Sequence, residues 1–170
     1  MVPLHRVVRQ VPGLGRIAAV ASAEAVVALS FPEDGDQPAW DSCLVRRTVF
    51  SHQTLPLLED LFSALAGFAR GELRHFQVTM DISRLSVFTQ RVLVCTAAIP
   101  WGETRTYGQI AACLGQPKAA QAVGQALGRN PLPVLIPCHR VLASHGLGGF
   151  GCGLVVKRRL LAIEQKIFTL

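Results

Sequence analysis

Acidic residues almost vanish from the last seventy positions of this 170-residue chain, where Glu103 and Glu164 face eight lysines and arginines. Residues 1–100 carry nine basic and nine acidic side chains, so the whole formal charge of +6 lies in the second part. A segment so poor in negative charge is an electrostatic footprint for phosphate backbones, although on charge alone a solvated basic surface fits equally well. Long apolar runs are missing too. Ile17 to Phe31 is broken by Ser22 and Glu24 and is too short to cross a bilayer. Met1 to Gly15 holds Arg6 and Arg9 without a continuous apolar stretch, so neither a membrane span nor a secretory signal is expected. The five cysteines, at 43, 95, 113, 138 and 152, include no Cys-x-x-Cys pair and no zinc-ligand spacing. Reduced thiols in a cytoplasmic setting, without a structural metal, are the expectation. With half of its residues hydrophobic and 16% charged, the chain reads as globular. It shows no internal repeat and no low-complexity tract.

Periodicity divides the chain into residues 1–83 and 84–170. In the first part, Gly15–Ser22 and Ala25–Phe31 read as strands of a hairpin turning at Ala23-Glu24. A charged loop, Pro32–Asp41, and a weak strand near Leu44–Phe50 follow. Leu57, Leu58, Leu61, Phe62, Leu65 and Phe68 recur at helical spacing, with Gly71 as the stop. Alternation over Phe76–Ile82 predicts a half-buried strand. The second part is mainly helical. An apolar-faced helix spans Ser86–Ile99 and ends at Pro100. Thr106 caps a helix over Tyr107–Leu114, which Gly115-Gln116-Pro117 breaks. Another helix runs from about Lys118 to Leu127, and Lys157–Gln165 forms a last one. Two short helices joined by a glycine-containing turn have the outline of a helix-turn-helix. Ala119, Ala120, Gln121, Ala122, Gly124 and Gln125 leave the second of them small and uncharged, so that its backbone can approach a nucleic acid closely.

The chemistry concentrates at Cys138-His139, which ends the apolar, proline-rich run from Asn130. A buried structural thiol is the plain reading of Cys138, but His139 and Arg140 place polar groups where a core residue expects apolar neighbours. A nucleophilic thiolate in a dry pocket, favoured by a basic setting, is the stronger one. Adjacent side chains need not touch, so a water or a backbone turn has to bridge the thiol and His139. Glu164 is the only acid in the last sixty residues and is a candidate to orient His139 as the third member of a relay. Asn130 opens the run as a residue that locks turns through its amide. A cysteine–histidine hydrolase and a helix-turn-helix regulator remain alternatives at this level.

Asn130-Pro-x-Pro-x-x-Ile136 followed by Pro-Cys-His-Arg, together with Thr106-Tyr-Gly-Gln-Ile-Ala111 and Pro117-Lys-Ala-Ala-x-Ala-Val-Gly124, resembles the O6-alkylguanine-DNA alkyltransferase family. The likeness continues through Leu147-Gly-Gly-Phe150 and Lys157 to Leu161-Ala-Ile-Glu164. It is strong from Phe88 to Glu164 and rests only on the order of elements before residue 80. The resemblance implies an α/β (α+β) protein: a small antiparallel sheet with a helix, ribonuclease H-like, over 1–83, and a winged-helix or helix-turn-helix domain over 84–170. It implies flipping of an O6-alkylguanine from double-stranded DNA and irreversible transfer of the alkyl group to Cys138, with an alkylated-DNA sensor that transfers nothing as the alternative within the same resemblance. His139 then takes the thiol proton through a water, Glu164 orients His139, and Asn130 holds the turns. Tyr107 donates to the departing base, the Cys138 and Val141 carbonyls read its amino group, and the Gly151 amide lies near O6, with Phe150 as a wall. Lys118, Gln121, Ala122, Gly124, Arg129 and Arg140 are the implied DNA-binding residues, Arg140 mainly as an anchor of the turn. Neither a cofactor, a metal, a membrane nor an obligate protein partner is implied. Three positions depart from the family pattern: Gln121 stands for an arginine, Phe150 for a tyrosine, and Cys152 for a small or variable residue.

Overall fold

A computed structural model describes residues 3–32 and 55–165. The chain is a mixed α/β protein whose contacts cluster into two units, Met1–Asp81 and Ile82–Leu170. In the first unit, β1 (His5–Val11), β2 (Gly15–Ala21) and β3 (Val26–Ser30) form an antiparallel sheet in that order. The register pairs Arg9 with Ile17 and Ala19 with Leu29, and slips between Val20 and Ala21. β2 and β3 form the hairpin expected from the sequence, whereas β1 lacked a clean alternation: its residues are mostly half-buried on both sides. Helix α1 (Pro56–Arg70) buries Leu58, Leu61, Leu65 and Phe68 along one stripe, as 3.6-residue spacing requires. Proline begins it, where a missing N–H costs nothing. Gly71 ends it with φ 78°, a left-handed conformation that a side chain would strain.

Phe76–Ile82 does not form the expected strand. Its exposure alternates over Phe76–Thr79, but its ladder is limited to one parallel bridge between Met80 and Val26. The Val26 N–H donates to the Thr79 carbonyl (2.9 Å) and the Asp81 N–H to the Val26 carbonyl (3.0 Å). Alternation set by half-burial thus persists without a full set of strand hydrogen bonds. The weak strand expected near Leu44–Phe50 lies outside the described residues.

The second unit begins with α2 (Val87–Ala97), capped by the Ser86 hydroxyl, which accepts from the Thr89 N–H. β4 (Arg105–Thr106) leads directly into α3 (Tyr107–Cys113), where Thr106 and Gln109 form a reciprocal capping box. Gly115, at φ 73°, makes the turn, and α4 (Ala120–Leu127) follows, two residues later than the spacing suggested because Pro117 and Lys118 form a turn that the Ala119 N–H closes on the Gln116 carbonyl (2.9 Å). Val123, Ala126 and Leu127 bury one face of α4, while Gln121, Ala122 and Gln125 are exposed. A 3-10 turn (Cys138–Arg140), β5 (Val141–Leu142) and α5 (Leu154–Gln165) complete the unit. β5 pairs in parallel with β4, Arg105 opposite Val141 and Thr106 opposite Leu142. This pairing ties the start of α3, and hence Tyr107, to the chain just after Cys138.

Candidate active site

The run into Cys138 is buried as expected, but it is not a strand. Pro131, Pro133 and Pro137 lack the N–H groups a ladder needs, so the segment folds into successive turns. Val134 sits at φ 75°, a conformation unusual for a β-branched residue that only over-determined surroundings hold. Much of that determination comes from Asn130. Its Oδ1 accepts from the Leu132 N–H (3.0 Å), while its Nδ2 donates to the Ile136 carbonyl (3.1 Å) and to the Cys138 Sγ (3.0 Å). The Ile136 N–H closes onto the Leu132 carbonyl at 2.8 Å. One amide therefore shapes the loop and meets the thiol.

Behind the thiol lies a closed set of charges. His139 Nε2 is 2.7 Å from Glu164 Oε1, and both residues are buried. Arg140 donates from Nε and a terminal nitrogen to the same carboxylate at 2.9–3.1 Å, and its other terminal nitrogen reaches the Ile99 carbonyl at 2.5 Å. The Gly102 N–H donates to Glu164 Oε2 at 3.1 Å. Burial alone would raise the Glu164 pKa, but the hydrogen bonds from His139 and Arg140 prevail and hold it below its ordinary value. Burial lowers the His139 pKa, and neighbouring Arg140 and Lys157 act in the same direction against Glu164. The pair is thus a neutral imidazole on an ionised carboxylate.

The basic setting does not make Cys138 a resting thiolate. Burial pushes its pKa up to about 11, although Asn130, Lys157 and the backbone N–H groups of Cys138 and His139 pull the other way. At neutral pH it is a thiol that needs a base. Lys157 is fully buried on α5, and burial brings its own pKa down to about 8. Its Nζ donates to the carbonyls of Val141 (2.7 Å), Leu147 (2.6 Å) and Gly149 (3.0 Å), pinning the loop that faces Cys138.

A pocket of about 260 Å³ opens over the thiol, lined by Cys138, Tyr107, Gly124, Leu127, Phe150 and Gly151 among others. Tyr107, at the start of α3, donates to the Gly149 carbonyl at 3.3 Å, and partial burial raises its pKa, so it keeps its proton at neutral pH. Gly148 matters here: a Cβ at its φ of 69° would lie 2.8 Å from the Tyr107 ring and hydroxyl.

Among the residues singled out in the sequence, Asn130 meets the Cys138 thiol, His139 next along the chain meets Glu164, and Tyr107, Phe150 and Gly151 stand around the pocket. Val141 is fully buried and its carbonyl already accepts from Lys157. Lys118, Gln121, Ala122 and Arg129 are exposed. Two of the group assigned to DNA stand elsewhere. Arg140 is 6% exposed and spends its guanidinium on Glu164 and Ile99, which makes it an anchor and not a surface contact. Gly124 lines the pocket, where an added Cβ would lie 3.7 Å from the Tyr107 ring. Sequence reading passed over the role of Lys157. The signal was there: Val156, Lys157, Leu160, Ile163 and Glu164 follow helical spacing, so both charges fall on the buried stripe of α5.

Fold and site together define a class: a helix-turn-helix unit whose second helix borders a pocket of about 260 Å³, with a buried thiol followed by a histidine held on a glutamate. The family model described as 6-O-methylguanine DNA methyltransferase, DNA binding domain, matches residues 87–166. A methylated-DNA–protein-cysteine methyltransferase of Mycolicibacterium paratuberculosis is 47% identical over 103 residues, 60% of this chain and 62% of that protein's length. One from Haemophilus influenzae is 31% identical over 155 residues, covering 89% of this chain and 82% of the relative. The Mycobacterium tuberculosis O6-methylguanine methyltransferase structure aligns with a TM-score of 0.80 at 33% identity, over 98% of this chain and 94% of that one. A structure of Mycobacterium tuberculosis OGT in complex with DNA gives a TM-score of 0.79 at 32% identity, over 97% and 94%. This chain belongs to the methylated-DNA–protein-cysteine methyltransferase family.

Proposed function

We propose that the protein repairs DNA by drawing an O6-alkylated guanine out of the duplex and moving its alkyl group onto Cys138, once per molecule. The observation that carries this reading is the pocket between Tyr107, Gly124 and Phe150 with the Cys138 thiol on its wall, directly beside α4. A thiol held there cannot reach a stacked base, so the base has to leave the stack. Residues 84–170 supply the DNA-binding and acceptor functions, and residues 1–83 act as a supporting domain. Arg129 and Lys118 meet the phosphates, while Gln121 and Ala122 lie nearest the gap left by the base.

In the transfer, His139 takes the Cys138 proton through a bridging water. Its Nε2–H is committed to Glu164, which leaves the Nδ1 lone pair as the acceptor. The imidazolium then rests on an ionised carboxylate already in place, so little reorganisation is needed. The sulfur forms a bond to the alkyl carbon as the carbon–O6 bond breaks, and the electron pair stays on guanine. Tyr107 donates its proton to the base and regains one from water. The Gly151 amide steadies O6, and the Cys138 and Val141 carbonyls, each with a second lone pair, receive the guanine amino group. Because the thioether is stable and the thiol is the acceptor itself, the reaction needs no cofactor and is not repeated. The substrate places the protein with the genome, in the nucleoid of a bacterial cytoplasm or in a nucleus.

Intact mass after mixing with duplex DNA containing O6-methylguanine tests the reading. One added methyl on Cys138, absent in Cys138→Ala, is the expected result. Tight binding with unchanged mass replaces the transferase with a sensor, and many turnovers replace it with a hydrolase.

A further inference from the structure

Cys95 lies half-buried on α2, and Cys113, the last residue of α3, is exposed. Their sulfurs are 3.1 Å apart. A recess of about 280 Å³ opens beside them, with Ala98, Arg105, Gln109 and Ile110 in its wall, large enough for a small polar oxidant to reach both thiols. We propose that Cys95 and Cys113 are an oxidisable dithiol, which hydrogen peroxide converts into a disulfide tying α2 to α3 while Cys138 stays reduced. The sulfurs need to close by about 1 Å to reach a disulfide length of about 2.05 Å.

Access decides the order of events. Cys113 thiolate attacks the peroxide, forming a sulfur–oxygen bond as the oxygen–oxygen bond breaks, and the first oxygen leaves as water after taking a proton. The Cys95 sulfur then attacks the sulfenic sulfur, the sulfur–sulfur bond forms, and the second oxygen leaves as water. Two thiols have lost two hydrogens and one peroxide has become two waters. Burial and its contact with Cys113 push the Cys95 pKa up to about 11, which suits it to the second, resolving step. Cys138 is only 7% exposed and equally poor in thiolate at rest, so it competes weakly for the oxidant.

The loop that this disulfide closes is not an arbitrary one. It contains the Ile99 carbonyl that holds Arg140, the Gly102 N–H that holds Glu164, and Tyr107. Closing it restricts the unfolded chain and stiffens the segment behind the active site. The inference stands apart from the alkyl-transfer reading, since its readouts are thiol content and melting temperature.

Hydrogen peroxide at one equivalent, followed by iodoacetamide capping, mass measurement and peptide mapping, tests it. Expected are a protein lighter by two hydrogens, a cross-linked peptide pair containing Cys95 and Cys113, and an intact Cys138 thiol. The melting temperature should rise by several degrees, return on reduction with dithiothreitol, and show no rise in Cys113→Ser or Cys95→Ala. Oxidation of Cys138 first, a disulfide between any other pair, a Cys113 sulfinic acid without a cross-link, or an unchanged melting temperature in the cross-linked protein overturns the proposal.

Discussion

The two units differ in where they keep charge: among the described residues, only the second buries charged side chains. In the first, Arg9 pairs with Glu59 and Arg70 with Glu72, and all four side chains remain well exposed. In the second, His139, Arg140, Lys157 and Glu164 are buried. Exposed pairs cost and contribute little because water screens them. Burying an ion costs several kcal/mol, which only complete hydrogen bonding offsets. The second unit meets that requirement: Glu164 receives His139, Arg140 and the Gly102 N–H, and Lys157 reaches three carbonyls. Charge has been drawn inside only where a thiol has to be deprotonated and a loop held still.

Removing the centre of the buried set should break this contrast most severely. Glu164→Ala leaves Arg140 uncompensated inside the protein, with an expected loss of about 3–5 kcal/mol in a denaturant titration. Glu164→Gln keeps an acceptor without the charge. It should fold, and single-turnover kinetics should show transfer slowed by roughly a hundredfold or more. Equal rates for Glu164→Gln and the parent would remove Glu164 from the reaction.

The next effect is on pH dependence. Burial holds the His139 pKa below its ordinary value and raises that of Cys138 to about 11, so across neutral pH both are uncharged and ready to exchange a proton. The transfer rate should fall on the acid side as His139 becomes protonated, hold level around neutrality, and decline modestly above about pH 8 as Lys157 gives up the proton with which it pins the pocket loop. In His139→Gln the thiol must ionise by itself, and the rate should climb about tenfold per pH unit toward pH 11. A flat profile in that variant contradicts the role of His139 as base.

A charge added outside should act differently. Gln121→Arg on the exposed face of α4 should leave stability unchanged and raise the repair rate in duplex DNA more than in single strands, because a longer cation fills the gap left by the base and ties to a phosphate. An unchanged duplex-to-single-strand ratio would show that Gln121 does not limit flipping. The smallest effect belongs to the first unit: Arg9→Ala should leave the melting temperature within measurement error, and a clear drop would place that pair among the fold's real supports.

Legibility followed the same division. The stripe Leu58-Leu61-Leu65-Phe68, the Gly71 stop, the Thr106 cap and the turn at Gly115 were readable because each rests on local backbone geometry, whereas Ser86, read as the first helical residue, is the cap of α2. β1 was not, since a half-buried edge strand shows little alternation, and β4 and β5 are too short to leave any pattern. Phe76–Ile82 misled in the other direction: its alternation reflects half-burial, and only one bridge pairs it with the sheet. At the site, the identities of Asn130, Cys138, His139 and Glu164 stood out as reactive or turn-forming groups in an apolar run or a basic segment. Arg140 was legible as an anchor of the turn but its partner was not, and the burial of Lys157 did not stand out, because both depend on α5 packing against the Cys138 turn.

By itself the sequence determined which groups are present and their local order: a thiol beside a histidine, a turn-locking asparagine, a small-faced helix and a strongly basic second part. Those depend on side-chain chemistry and on interactions within a few residues. Tertiary structure alone decided the protonation states and the partners. Ionisation depends on desolvation and on charges brought close from distant points, as when Glu164 arrives on α5 to meet His139 and Arg140. The thiol that looked activated by a basic segment is, once folded, a neutral group waiting for its base.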